Sequence, residues 1–341
     1  MIKTVYHFLP EVIKSEISKL NYWLQNKPQV LVNSKSYPLP RSAKGGVIIS
    51  ADLELGWAVR YSKERKDPVL YAERERQNVP IILRHLDRFK IPIVWSTVGH
   101  LFLEHCKKGD HDWMRRIPYF SDHWEYTSGD WFDCDSHTNY KADSTWYAPD
   151  LVESILNSKA NHEIACHTFS HIDCSYKNCP SYVLEDELIA SIDAARQWGV
   201  KFRSITFPGG FAGNYEVLRK FGIRMCRKRY YGYEIAYPFM NDYEMIVSPT
   251  GPSISMAYSS WSMNYRLSRI KKAIDKAIHS NSVVHFWFHP SQERETFSDF
   301  LPLMLKYCAE KREEGTLWIG TMDEFVDFVD NNQIQLVKRS S

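Results

Sequence analysis

Short apolar runs rich in β-branched and aromatic residues, separated by stretches of helical period, constrain this chain more than any other feature. Six runs qualify: GVIISAD (46–52), PIVWSTV (92–98), HEIACH (162–167), RSITFP (203–208), SVVHFWFH (282–289) and TLWIG (316–320). Each has the length and composition of a strand buried on both faces of a parallel sheet. Between them Val79, Ile82, Leu83, Leu86 and Phe89 recur at helical spacing. So do Leu184, Leu188, Ile192 and Ala195 ahead of Gly199, and Leu267, Ile270, Ile274 and Ile278. Ser298 is placed to cap a helix running to Gly315, and Thr321 with Glu324 forms a capping-box pattern. Strand alternating with helix is the rhythm of an α/β fold with a parallel sheet, in which chemistry collects at the C-terminal ends of the strands.

Two regions depart from that rhythm. Residues 1–45 form an N-terminal extension of weak periodicity. Residues 100–150 are long, polar and aromatic, the signature of a functional loop or lid. Trp113, Trp124, Trp131 and Trp146 lie in it, and that much apolar surface is costly to leave in water.

Composition excludes several classes. With 43 Lys and Arg against 41 Asp and Glu, the net charge of +2 is too small for a general binder of nucleic-acid polymers or acidic membranes. No run approaches the roughly 18 apolar residues of a transmembrane helix. The first residues lack the apolar core of a secretory signal. Seven cysteines, an odd number without a paired framework, fit reduced thiols and a cytoplasmic location. Cys174 and Cys179 bracket SYKN in the manner of half a zinc knuckle, whose second ligand pair is missing.

Candidate chemistry sits at the strand ends. Asp52 and Glu54 close the first run. In extended chain they face one side with Cα atoms roughly 6.5–7 Å apart, and two acids so placed repel unless a cation, a proton or an arginine lies between them. His167 and His171 follow the third run at i and i+4. In a helical turn that spacing presents both imidazoles to one divalent metal. His289-Pro290 ends the fifth run, and His285, four residues earlier on the same face, fits packing better than chemistry. Phe207-Pro208-Gly209-Gly210-Phe211 makes a turn whose glycines let backbone approach a ligand.

Acid pair, Pro-Gly turn, histidine pair and terminal histidine together resemble the polysaccharide deacetylases of the NodB-homology type, carbohydrate esterase family 4. The resemblance covers about residues 45–330. It rests on Asp52-Leu53-Glu54 as a D-x-E variant of the first motif, His167-Thr168-Phe169-Ser170-His171 as H-[ST]-x-x-H, and His289-Pro290 as the last motif. Residues 97–103 (TVGHLFL) and 146–150 (WYAPD) resemble the branch found with surface-polysaccharide synthesis genes.

The resemblance implies a distorted (β/α) barrel over 46–330 carrying the aromatic insertion 100–150, with a C-terminal tail at 331–341. It implies a hydrolase of carbon–nitrogen bonds other than peptide bonds, removing an N-acyl group, N-acetyl by first choice, from an amino sugar of a surface glycan or its nucleotide- or lipid-linked precursor. It further implies a divalent metal, zinc by first choice, on Glu54, His167 and His171, with Asp52 as general base and His289 as the acid that protonates the leaving amine. The D-x-E spacing leaves the roles of Asp52 and Glu54 exchangeable. Pro208, Gly209, Gly210, Trp131 and Trp146 are the substrate-binding candidates.

One feature departs from the family pattern. The third motif carries an arginine beside its proline, and Gly209 and Gly210 stand here instead. Arg203, Arg224, Arg227 or Arg229 would have to fold back to replace it. The run Arg227-Lys228-Arg229-Tyr230-Tyr231 has its plainest account as a solvated helix end or loop, and a diphosphate contact as the sharper one. Three other readings stay open: a catalytically impaired glycan-binding relative, a deformylase or amidase acting on another C–N acyl bond, and a glycosidase using Asp52 and Glu54 as its carboxylate pair.

Overall fold

The structure, a computed structural model, describes residues 10, 13, 16–17, 30–31, 37–60, 67–117, 132–230, 234–254 and 262–340. Most of the N-terminal extension, with Trp124 and Trp131, lies outside the described residues.

Seven parallel strands close into a barrel: β1 (Gly45–Leu53), β2 (Val94–Thr97), β3 (Glu163–Cys166), β4 (Ser204–Thr206), β5 (Met225–Lys228), β6 (Ile246–Ser253) and β7 (Val283–Phe288). Neighbours in this series pair in order, and β7 pairs back onto β1 from Val283↔Gly46 to Phe288↔Ala51. An eighth strand, β8 (Leu317–Gly320), runs beside the first half of β1, and β2 takes over that edge from Ser50 to Leu53. This change of partner along β1 distorts the barrel. Gly45 is required at its start, because a Cβ there would lie 2.6 Å from the backbone of Ile278.

Among the described residues seven helices surround the strands: α1 (Pro68–Phe89), α2 (Pro149–Leu156), α3 (Ser181–Arg196), α4 (Tyr215–Lys220), α5 (Met263–His279), α6 (Leu301–Glu313) and α7 (Met322–Asn331). The six expected strands are all present. Strands β5 and β6 are additions, as are two-residue strands at Val30–Leu31, Ile235–Ala236 and Phe239–Met240. The capping box forms at α7, where Thr321 Oγ1 accepts from Glu324 N and Glu324 Oε2 accepts from Thr321 N. Ser298 caps nothing; it lies inside a wide turn, Thr296–Phe300, that leads into α6. No helix of the described residues is long and apolar enough to cross a membrane.

The period-2 alternation of the strands grades the barrel from bottom to top. Outward residues such as Val47, Ile49, Leu53, Ile93 and Trp95 pack beneath the helices. On the other face Ile48, Val94, Ala165, Met225, Ile246 and Val283 form an apolar floor, closed from below by Met322, Phe325, Val326 and Val329 of α7. Each such side chain stabilises the fold by roughly 1.5–3 kcal/mol. One step up, the layer is polar and internally bonded. Ser96 Oγ lies 2.7 Å from Thr206 Oγ1, and His285 bridges Ser248 Oγ (2.9 Å) and Ser50 Oγ (3.1 Å). The next residue up on β1 is Asp52, at the mouth.

Candidate active site

At the mouth the chain bends sharply after each strand. Leu55 has φ 47°, and Thr168 and His171 have φ 58° and 56°. A β-branched residue in the left-handed region costs about 1–3 kcal/mol and persists only where its surroundings fix it. Two buried glutamates do so. Glu75 of α1 accepts from Glu54 N (3.1 Å) and Leu55 N (3.0 Å). Glu187 of α3 accepts from Phe169 N and Ser170 N, both at 2.8 Å, and from Ser170 Oγ. The histidine motif is therefore a clamped bend, whereas the i, i+4 spacing suggested a helical turn.

The two bends bring Glu54 to both imidazoles. Its Oε1 lies 2.9 Å from His167 Nε2 and 3.1 Å from His171 Nε2. His167 Nδ1 donates to the carbonyl of Thr206 (2.7 Å), which orients the ring with Nε2 toward the carboxylate. Burial pushes His171 down to about 4. Burial works against the charge on Glu54, but His289, His171 and His167 outweigh it and hold the carboxyl well below the usual range. One carboxylate and two imidazoles, with one ring oriented by a backbone carbonyl, fit a divalent metal of the zinc type.

Asp52 faces the other way. Arg227 of β5 grips it with two bonds, Nη1 to Oδ1 at 2.9 Å and Nη2 to Oδ2 at 2.5 Å. The same Nη1 also donates to Ser50 Oγ, the group that His285 holds from below. Burial pushes His285 well below its ordinary value, so it supports this chain as a neutral ring. The basic run is thus corrected: 225–228 is a barrel strand, and Arg227 is buried inside it. Arg203 and Arg224 turn instead to acids of α7.

His289 follows β7 with its side chain 26% exposed, the most open member of the group. Its Nε2 is 3.9 Å from Asp52 Oδ2 and 3.7 Å from Glu54 Oε2. One face of α1 fixes this loop. Asn78 Nδ2 donates to the carbonyls of Pro290 (2.7 Å) and Gln292 (2.9 Å). Burial and the charge of Glu54 push the Tyr71 phenol above its usual range, so it stays a donor beside the acids. Tyr71, Glu75 and Asn78 recur at i, i+4 and i+7, a polar stripe beside the apolar one, and that spacing was their only signal in the sequence.

Pro208 is buried, while Gly209 and Gly210 form an exposed turn after β4 with φ 59° and 76°. Trp146 is 6% exposed and packs edge-on to Trp57 at 5.5 Å, so its ring lies within the wall of the insertion. Trp113 is exposed. Cys174 and Cys179 are buried free thiols and belong to no metal-capable group among the described residues.

No family model matches the sequence, and no curated protein matches it. Solved structures do match. A Mycobacterium smegmatis protein assigned as a polysaccharide deacetylase is similar at 14% identity and TM-score 0.63, over 91% of this chain and 99% of its own. The allantoinase PuuE follows at 13% identity and TM-score 0.59, over 90% and 98%. A Pseudomonas aeruginosa PAO1 protein, also assigned as a polysaccharide deacetylase, matches at 11% identity and TM-score 0.58, over 86% and 93%. At these identities the likeness is one of fold: the chain has the distorted (β/α) barrel of the polysaccharide deacetylases.

Proposed function

We propose that this protein is a metal-dependent amidohydrolase that removes an N-acyl group, N-acetyl by first choice, from an amino sugar of a surface glycan or of its nucleotide- or lipid-linked precursor. The observation that carries the reading is the division of labour between the two acids. Glu54 faces two imidazoles, Asp52 is gripped by a guanidinium, and His289 stands beside both.

Glu54, His167 and His171 would hold the metal, zinc by first choice, which when bound supplies Lewis acidity toward the acyl oxygen and acidity to a bound water. Asp52 accepts the proton of the attacking water. Arg227 keeps that carboxylate in one orientation and balances its charge, so the base is preformed before substrate arrives. His289, open to the cleft, delivers a proton to the amine nitrogen, which otherwise leaves poorly. Acetate and the free amino sugar are the products. Seven free cysteines suit the reducing cytoplasm as the place of work.

Arg227 also weighs against an impaired glycan-binding relative, because the orienting arginine is present on a different strand. A glycosidase would leave the histidine pair without a role. An amidase on another C–N acyl bond is a second reading, favoured by the fold likeness to an allantoinase.

The test is acetate release from N-acetylated amino sugars, free, nucleotide-linked and in oligosaccharides, run beside allantoin. The expected result is release from an amino-sugar substrate that Asp52→Asn abolishes while the variant stays folded. Turnover of allantoin alone, or acetate release unchanged in Asp52→Asn, would contradict the reading.

A further inference from the structure

A second group of metal-ligating side chains lies in the insertion, apart from the barrel mouth. His100, Cys106, His111 and Asp135 each offer one donor atom, and these atoms all lie within 4.8 Å of one another. That compactness suits four donors sharing one ion.

The hydrogen bonds around the group orient its donors inward. His100 is fully buried, and its Nδ1 donates to the carbonyl of Trp146 at 3.1 Å. The ring's other nitrogen, Nε2, has no hydrogen-bond partner. It points at Asp135 Oδ2 from 3.1 Å, yet that contact lacks hydrogen-bond geometry. A cation between these two atoms would be bonded by both. Asp135 Oδ1 is already occupied, accepting from Tyr147 Oη (2.6 Å) and from His137 N (3.1 Å). Oδ2 is left for His100 and for Cys106, whose Sγ is 2.9 Å away.

His111 Nε2 is buried without a hydrogen-bond partner. Aromatic rings wrap both histidines: Trp57 and Phe169 lie 4.6 and 5.4 Å from His100, and Phe132 lies 4.9 Å from His111.

We propose that His100, Cys106, His111 and Asp135 form a second, structural site for a divalent transition metal of the zinc type, closed by four protein ligands. Two imidazoles, one thiolate and one carboxylate satisfy the tetrahedral preference of zinc and leave no open position for a substrate. The ion would fasten the insertion to the catalytic loop. His100 N donates to the carbonyl of Phe169 (3.0 Å) and Gly99 N to that of Thr168 (2.8 Å), both inside the histidine motif. Gly99 permits this approach, since a Cβ there would lie 3.0 Å from the Phe169 Cα. The site is independent of the proposed reaction and stands whether or not the amidohydrolase reading holds.

Cobalt(II) substitution of the full chain tests it, because a thiolate ligand gives a near-ultraviolet charge-transfer absorption that Glu54, His167 and His171 cannot produce. The expected result is that absorption in the wild type and in Glu54→Gln, and its loss in Cys106→Ser. Zinc analysis should show one equivalent lost in Cys106→Ser, and also in His111→Gln, which keeps the result readable if the serine variant fails to fold. Absence of the absorption from the cobalt-loaded wild type, or zinc content unchanged in both variants, would overturn the proposal.

Discussion

Glu54, His167 and His171 gather at the ends of two barrel strands, whereas His100, Cys106, His111 and Asp135 gather within an irregular insertion. The first group has three donors, with Asp52 and the partly exposed His289 beside it. The second has four donors and an aromatic jacket. Open and closed coordination are what separate catalytic from structural metal sites. On the proposed reading the open site would lie where strands end at the barrel mouth, and the closed one where a loop lacks regular structure to hold it. The two touch through the backbone bonds between Gly99–His100 and Thr168–Phe169, so the insertion supports the catalytic bend.

Four changes test this contrast. The largest effect is expected from His289→Ala, which removes the proton donor and leaves both ligand groups intact. kcat for acetate release should fall by about 10²–10⁴-fold with KM little changed, in steady-state kinetics. A loss confined to KM would make His289 a binding group. Next comes Arg227→Lys, which keeps the charge but not the two-point grip on Asp52. kcat should fall by about 100-fold with metal content retained, and a shifted pH–rate profile would separate lost positioning from general damage.

Cys106→Ser should show the reverse pattern. Stability should drop by roughly 2 kcal/mol or more, read as a Tm lowered by about 3 °C or more, while the folded variant keeps kcat within tenfold. If activity vanishes and Tm does not move, the insertion group belongs to the chemistry and the contrast fails.

The smallest effect is a pH dependence outside both groups. His162 Nδ1 accepts from Ile93 N (3.1 Å), and burial pushes the ring down to about 4. The unfolded chain protonates this histidine near 6.5 and the folded chain does not. Its contribution is therefore complete above about pH 6.5 and is lost as pH falls toward 4. His162→Gln should lower stability at pH 7 yet lose about 2 kcal/mol less than the wild type between pH 7 and pH 5, measured by urea unfolding.

The convergence of Glu54, His167 and His171 was legible because each lies at or just beyond the end of an apolar run, and a run of β-branched residues is visible without its neighbours. Arg227 was one of four arginines named as able to fold back, and nothing in the sequence singled it out, because a charged residue in a four-residue strand reads as surface. Only the closure of β5 beside β4 and β6 shows it to be interior, where Asp52 neutralises it. The insertion group was illegible for a different reason: His100, Cys106, His111 and Asp135 follow no helical or strand period, so no spacing marks a common face. The mismatch between sequence spacing and geometry also appears at His167 and His171. They do converge, but through left-handed backbone at Thr168 and His171 that Glu187 holds in place.

The account rests on Glu54 as metal ligand and Asp52 as base, and metal content of the two isosteric variants separates them most directly. Glu54→Gln and Asp52→Asn would be loaded with zinc, dialysed and analysed beside the wild type, with acetate release measured on the same samples. The expected result is one equivalent of zinc lost in Glu54→Gln, and full zinc with no turnover in Asp52→Asn. Zinc retained by Glu54→Gln and lost from Asp52→Asn would contradict the assignment of both acids.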